Sequence, residues 1–200
     1  MRKKIILGIV IFVVLAAAIV GAVYFNKNYA VIHSWFTEKY ILNTNVTKLT
    51  VKYDGDEWED WVYCTPSLKK FAKLESLMIM ADEETNYEYL SEMNSLQELE
   101  IYFSKFYCEN LETLPELPNL KRLLILGGTR GENYFTLSDE YEYNFSDIET
   151  LEIEYFTTID CDALKHFENL HTLRISALKN DLTEEQVEEL QSRGINVEIK

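Results

Sequence analysis

The sequence predicts an α/β fold: a solenoid whose curved parallel sheet has about seven short strands, preceded by one membrane-spanning helix. Three observations predict it. One short apolar pattern recurs seven times between residues 46 and 200. Ahead of its copies the apolar residues step by three and then alternate, as in "LETLPELPNLKRLLIL" at 111–126. Residues 5–25, finally, hold no charged side chain.

The uncharged run, "IILGIVIFVVLAAAIVGAVYF", is roughly 31 Å long as a helix at about 1.5 Å per residue, which matches a hydrocarbon core of ~30 Å. Arg2, Lys3 and Lys4 precede it, and the positive-inside rule keeps that end in the cytoplasm. Residues 1–4 are then a cytoplasmic tail, and 5–25 a signal anchor in the plasma membrane. Residues 26–45 form a juxtamembrane segment and N-terminal cap, and the C-terminal domain is extracytoplasmic. Tyr24, Phe25, Tyr29 and Trp35 suit the outer interface. A cleaved signal peptide competes with this reading, because "VGA" at 20–22 offers small residues. The run is longer than a signal core of roughly 7–15 residues, which favours the anchor; cleavage would make the protein secreted.

The recurring pattern is "VTKLTV" from Val46, "LESLMI" from Leu74, "LQELEI" from Leu96, "LKRLLI" from Leu120, "IETLEI" from Ile148 and "LHTLRI" from Leu170. A last copy, "GINVEI" from Gly194, keeps the fourth and sixth positions as Val197 and Ile199. The starts lie 28, 22, 24, 28, 22 and 24 residues apart. Positions 4 and 6 alternate, which is strand periodicity with one face inward.

This pattern resembles the leucine-rich repeat family, in which an LxxLxL strand recurs every 20–29 residues or so. The resemblance covers 46–200, which reads as the leucine-rich repeat domain. The family's asparagine position is occupied here by Asp54, Asp82, Ser104, Gly128, Phe156 and Leu178, so its asparagine ladder is missing. What the resemblance implies is a strand stack that recognises protein through its concave face.

The step of three has its own cause. Apolar residues stand three before the strand motif at Phe71, Met93, Leu117, Phe145 and Phe167, and six before it at Leu68, Leu90, Leu114 and Leu164. A three-residue period is that of a 3₁₀ turn, so each repeat reads as a turn running into a strand. Thr65-Pro66 suits a helix start, and Asp160 or Asp162 offers another. No single unit buries its apolar edge alone, so neighbours must stack. The segment 29–43 is apolar enough to cap the first strand. At the other end, "LTEEQVEELQSRG" carries a capping box, Thr183 to Gln186, with Gly194 at the helix terminus.

Thirty-four acidic residues face nineteen basic ones, three of which precede the apolar run. Residues 26–200 therefore carry a net charge of −18. That surface repels nucleic acid and anionic lipid and points, if to anything, to a basic protein partner.

Odd positions of each motif face away from the core. Across the middle repeats they gather Met78, Met80, Tyr102, Leu124 and Leu126, bordered by Glu100, Glu152 and Glu154. An apolar patch with a charged rim is the anatomy of a protein-binding site, and methionine and tyrosine are adaptable anchors. A long loop folded over this face is the alternative. The acidic, aromatic loops "YDGDEWEDW", "DEETNYEY" and "SDEYEYNFSD" read as solvated loops whose Tyr and Trp pack locally, and the first lacks the oxygen spacing of a calcium loop. "GGTRG" at 127–131 lacks the ending of a phosphate loop.

Cys64, Cys108 and Cys161 have no zinc-ligand spacing; they read as small buried apolar groups, with at most one internal disulfide. His33, His166 and His171 stand apart from any nucleophile motif. The chain is expected to be no enzyme and to carry no cofactor or metal. Its expected role is protein–protein interaction through the concave face, or else a structural, self-associating envelope or surface component.

Overall fold

The computed structural model describes residues 2–34, 39–49, 51–52, 59–82, 84–103, 111–127, 134–136, 143–156, 158–160, 164, 167–177 and 182–199. Ser104, Cys108, Gly128, Cys161, Asp162, His166 and Leu178, named above, lie outside these residues, as do Trp35, Asp54 and parts of the three acidic loops.

Helix α1 (Arg2–Asn28) runs directly into a hairpin of β1 (Tyr29–His33) and β2 (Lys39–Asn43). The side chains of α1 are described from Val13 onward. Among the described residues no helix is long and apolar enough to cross a membrane. Short strands β3 (Val51–Lys52) and β4 (Glu59–Asp60) pair antiparallel, and β5 (Val62–Tyr63) follows. Next come β6 (Ser76–Ala81), β7 (Glu98–Phe103) and β8 (Arg122–Leu126). An excursion, β9 (Tyr134–Thr136), precedes β10 (Thr150–Phe156) and pairs with β11 (Thr158–Asp160). The chain finishes with β12 (Thr172–Ala177), helix α2 (Glu184–Ser192) and β13 (Asn196–Ile199).

Seven strands form one parallel sheet, in the order β13-β12-β10-β8-β7-β6-β5. The repeat sets its register. Leu77, Leu99, Leu123, Leu151, Leu173 and Val197 stand opposite one another in a row, and so do Ile79, Ile101, Ile125, Ile153, Ile175 and Ile199. From Leu77 to Leu173 and from Ile79 to Ile175 these rows are essentially excluded from solvent. A slip of one residue would turn both rows outward, so burial locks the register.

The three-residue step is also explained. Phe71 N–H donates to Leu68 O, Leu74 to Phe71, Met93 to Leu90, Leu96 to Met93, Leu120 to Leu117, Ile148 to Phe145 and Phe167 to Leu164, at 2.9–3.2 Å. These i→i+3 bonds are those of a 3₁₀ turn, which puts every third side chain on one edge. The apolar residues so linked are at most 5% exposed, and they form the core with the strand rows. Phe145 stacks on Phe167 of the next repeat at 5.0 Å between centroids.

A second hydrogen-bond pattern joins each repeat to the one before. Gln97 and Glu98 N–H both donate to Glu75 O; Lys121 and Arg122 to Gln97 O; Glu149 and Thr150 to Lys121 O; His171 and Thr172 to Glu149 O. Asparagines add to it from a position that the sequence reading passed over. Asn119 Nδ2 donates to Asn94 O (2.6 Å) and Asn169 Nδ2 to Ser146 O (2.8 Å), each reaching the preceding repeat just before the strand motif.

Four expectations need correction. The first motif copy does not supply a full strand: Thr47 O accepts from Glu75 and Ser76, and Lys48 bridges Ser76, after which the chain leaves the sheet. Val62 and Tyr63 take the remaining place beside Ile79 and Met80. Val51, the sixth position of that copy, pairs with Asp60 in a separate two-stranded sheet instead. Thr65 precedes the turn Pro66–Lys70 without capping it through its side chain, and Asp160 lies in a strand. The capping box of Thr183 and Gln186 is formed, with Gly194 at φ +86° closing α2.

Candidate interaction face

The odd positions come together as the pattern requires. Met78, Glu100, Leu124, Glu152, Arg174 and Glu198 stand opposite one another across six strands, and Met80, Tyr102, Leu126, Glu154 and Ser176 form the next row. Met78, Glu100, Tyr102, Leu124 and Glu154 are half-buried on this face. Met80 and Leu126 are more enclosed, at 3% and 8% exposed.

Part of the face is covered by a side chain from the segment just ahead of β5. Trp61, just ahead of β5, lies on Tyr102 with ring centroids 4.8 Å apart, and its indole N–H donates to Glu100 Oε1 at 2.8 Å. The aromatic anchor and one border carboxylate are thus engaged by the chain itself. One signal of this is legible in the chain: a tryptophan in an acidic loop needs an acceptor for its N–H when partly buried.

The acidic border is not simply acidic. Glu152, 7% exposed, accepts from Arg122 Nε at 2.8 Å and from Arg174 at 3.2 Å, and Arg174 Nε donates to Glu198 Oε2 at 2.9 Å. Burial pushes the Glu152 carboxyl up, but the hydrogen bond from Arg122 and the two guanidinium charges outweigh it and hold it below its ordinary value. The bond to Glu152 raises Arg122 further, and the bond to Glu198 does the same for Arg174. This ladder fixes the face electrically between β8 and β13. Arg122 and Arg174 had no place among the predicted contact residues, yet they neutralise two of the acids beside them.

Between the N-terminal halves of β6, β7 and β8 a shallow hollow of about 190 Å³ is lined by Lys48, Ser76, Met78, Glu98, Arg122 and Leu124. Its lining is mostly polar, with both signs of charge beside Met78 and Leu124, which suits a short protein segment better than a small apolar ligand.

The remaining candidates do not converge. Cys64 is a free thiol whose Sγ contacts Asn86 O at 3.3 Å; burial pushes it up to about 12, far from a thiolate nucleophile at neutral pH. His33 lies in β1, and His171 is exposed ahead of β12. Among the described residues no three His, Cys, Asp or Glu side chains are grouped as a metal site would need. Compared with protein-family models, curated proteins and solved structures, the chain matches none of them.

Proposed function

We propose that this is a single-pass, N-terminally anchored leucine-rich repeat protein whose solenoid stands outside the cytoplasm and binds another protein through the odd face of its sheet. One observation carries the binding reading: the in-register Met78–Glu100–Leu124 row, half-buried and lining a shallow hollow with charges of both signs. A preformed sheet lowers the ordering cost of association, and mixed charge at the rim sets orientation. The anchor reading is supported by α1, where Val13, Val14, Leu15, Ile19, Val20 and Val23 are 57–68% exposed. At 100° per residue these positions surround the helix, and an apolar surface on all sides calls for lipid or protein.

The test uses the full chain in lipid nanodiscs, incubated with extracts of the source cells and compared with Met78→Glu plus Leu124→Glu. Far-ultraviolet circular dichroism verifies that the variant folds. Capture by the wild type and its loss in the folded variant is expected. Capture undiminished in that variant would move the site off this face.

One observation favours the self-associating reading instead. Strand β13 ends the sheet, and its Ile199 is 43% exposed. An edge of that kind invites pairing. Sedimentation of the full chain over a hundredfold concentration range separates the two, since only self-association shifts with concentration.

A further inference from the structure

The junction between α1 and the strands is closed at the atomic level. Three of the four last carbonyls, which an isolated helix would leave open, are taken by groups outside it. Asn26 O accepts from Lys70 Nζ (3.0 Å), Lys27 O from Thr44 Oγ1 (3.4 Å) and Asn28 O from Thr44 N–H (2.8 Å). Lys70 Nζ also reaches Asn26 Oδ1 at 2.9 Å, and Phe25 stacks on Tyr29 with centroids 5.1 Å apart. No linker separates helix from hairpin, so the hairpin and the Pro66–Lys70 turn sit where α1 ends.

Those neighbours differ from the rest of the domain in charge and in exposed apolar surface. The sequence over 26–49 and 61–74 has six lysines, Lys27, Lys39, Lys48, Lys69, Lys70 and Lys73, all exposed, against one acid, Glu38. This lies within a stretch, 26–200, of net charge −18. On the hairpin, Ala30 and Ile32 face the core, whereas Val31 and Ile41 are paired across the strands on the opposite face, 39% and 59% exposed. Lys69 leans toward Glu88 and the Tyr89 ring, and Lys70 holds the junction, which leaves Lys27, Lys39 and Lys73 to meet anions.

Resting on the anchored reading of α1, we infer that this collar docks on the anionic headgroup layer of the same bilayer, with Val31 and Ile41 in the interface and the lysines on lipid phosphates. The closed junction fixes which surface faces the membrane. Charge segregation selects anionic lipid there and turns the acidic remainder of the domain outward. The domain would stand in one orientation instead of swinging on a tether, and its odd face would be presented in a constant direction.

The test places a fluorescent, environment-sensitive amino acid by codon suppression at one position at a time in the full chain: 15, 41 or 155. Ile41 and Tyr155 are similarly exposed, at 59% and 55%, so position 155 controls for the probe's own affinity for lipid. Nanodiscs contain brominated lipid with a third anionic headgroups. Expected is strong quenching at 15, quenching at 41 at least threefold above that at 155, and a fall of that ratio by half or more in Lys27→Glu plus Lys73→Glu. Quenching at 15 with equal values at 41 and 155 overturns the docked collar while leaving the anchor intact. A ratio unmoved by the lysine variant overturns the headgroup contact. No quenching at 15 removes the anchor, and the collar with it.

Discussion

Arg122 Nε and Glu152 Oε1 lie 2.8 Å apart although thirty residues separate them in the chain. Arg122 stands at the third position of its repeat and Glu152 at the fifth of the next, so the bond runs diagonally across β8 and β10. Arg174 reaches the same oxygen from the other side. A carboxylate this enclosed stays ionised because both neighbours are cationic.

Glu152→Gln is therefore expected to destabilise the fold by about 1–2 kcal/mol at pH 7, since a charge-assisted bond is lost while the partly exposed arginines regain water. The folded carboxyl holds its proton less tightly than the unfolded one, so its contribution is complete above pH 4.5 and disappears as pH falls through the lower folded value. Urea unfolding of both proteins at pH 7 and at pH 3 measures this. The difference between them should shrink on acidification, and a constant difference would mean that Glu152 acts by shape alone.

Two glycines should respond differently to the same substitution. Gly127 N–H donates to Glu154 O, and a Cβ there would lie 2.7 Å from Tyr155 O and 3.0 Å from the Phe156 ring. Tyr155 itself sits at φ +64° where the register with β12 shifts, so the obstruction is backbone held by a bulge. Gly127→Ala is expected to cost about 2–3 kcal/mol through overpacking. At Gly194 the space is open and only the φ of +86° resists, so Gly194→Ala should cost about 1 kcal/mol. Thermal unfolding of the pair gives the order, and the reverse order would contradict the packing argument.

The asparagine amides offer a third measurement. Asn119→Asp removes the donor to Asn94 O and sets a carboxylate against a carbonyl now 2.6 Å from the amide nitrogen. The expected loss is about 1–2 kcal/mol, with Asn119→Ala milder because water can serve the exposed carbonyl. Equal losses in the two variants would show that charge plays no part.

Cys64 gives a chemical test. With its thiol pushed up to about 12, it should resist iodoacetamide at pH 8 in the folded chain and react once the chain is unfolded. Mass spectrometry of the peptide containing Cys64 reads the result; rapid modification of the folded protein would mean that the site opens.

Recurrence made the sheet legible. Leu77, Ile79 and their equivalents alternate in every copy, and burial allows that alternation one register. The step of three was legible for a related reason, because Leu68, Phe71 and Leu74, and likewise Leu90, Met93 and Leu96, share one buried edge through i→i+3 bonds. The split at the first strand was not. Val62 and Tyr63 make a very short apolar stretch with no motif, and their place depends on where Thr47–Leu49 stop pairing. Trp61 on Tyr102 and the arginines on Glu152 were hidden because each contact joins different motif positions, which repeat alignment treats separately. The asparagine amides that reach a preceding repeat stand outside the strand motif, at Asn119 and Asn169 just before it, where motif alignment does not look.

The carbonyls of Thr47, Glu75, Gln97, Lys121 and Glu149 each receive two successive N–H groups from the repeat that follows. Each repeat is thus indexed to its predecessor at a single oxygen, just before the strand begins. Whatever chain lies between two such oxygens can lengthen or shorten without disturbing the count. Repeats of 22, 24 and 28 residues share one sheet here without a shift between their strand starts. Insertions and deletions can accumulate in the connecting loops while the strand rows stay in step, so this architecture can vary its loops at little cost to its fold.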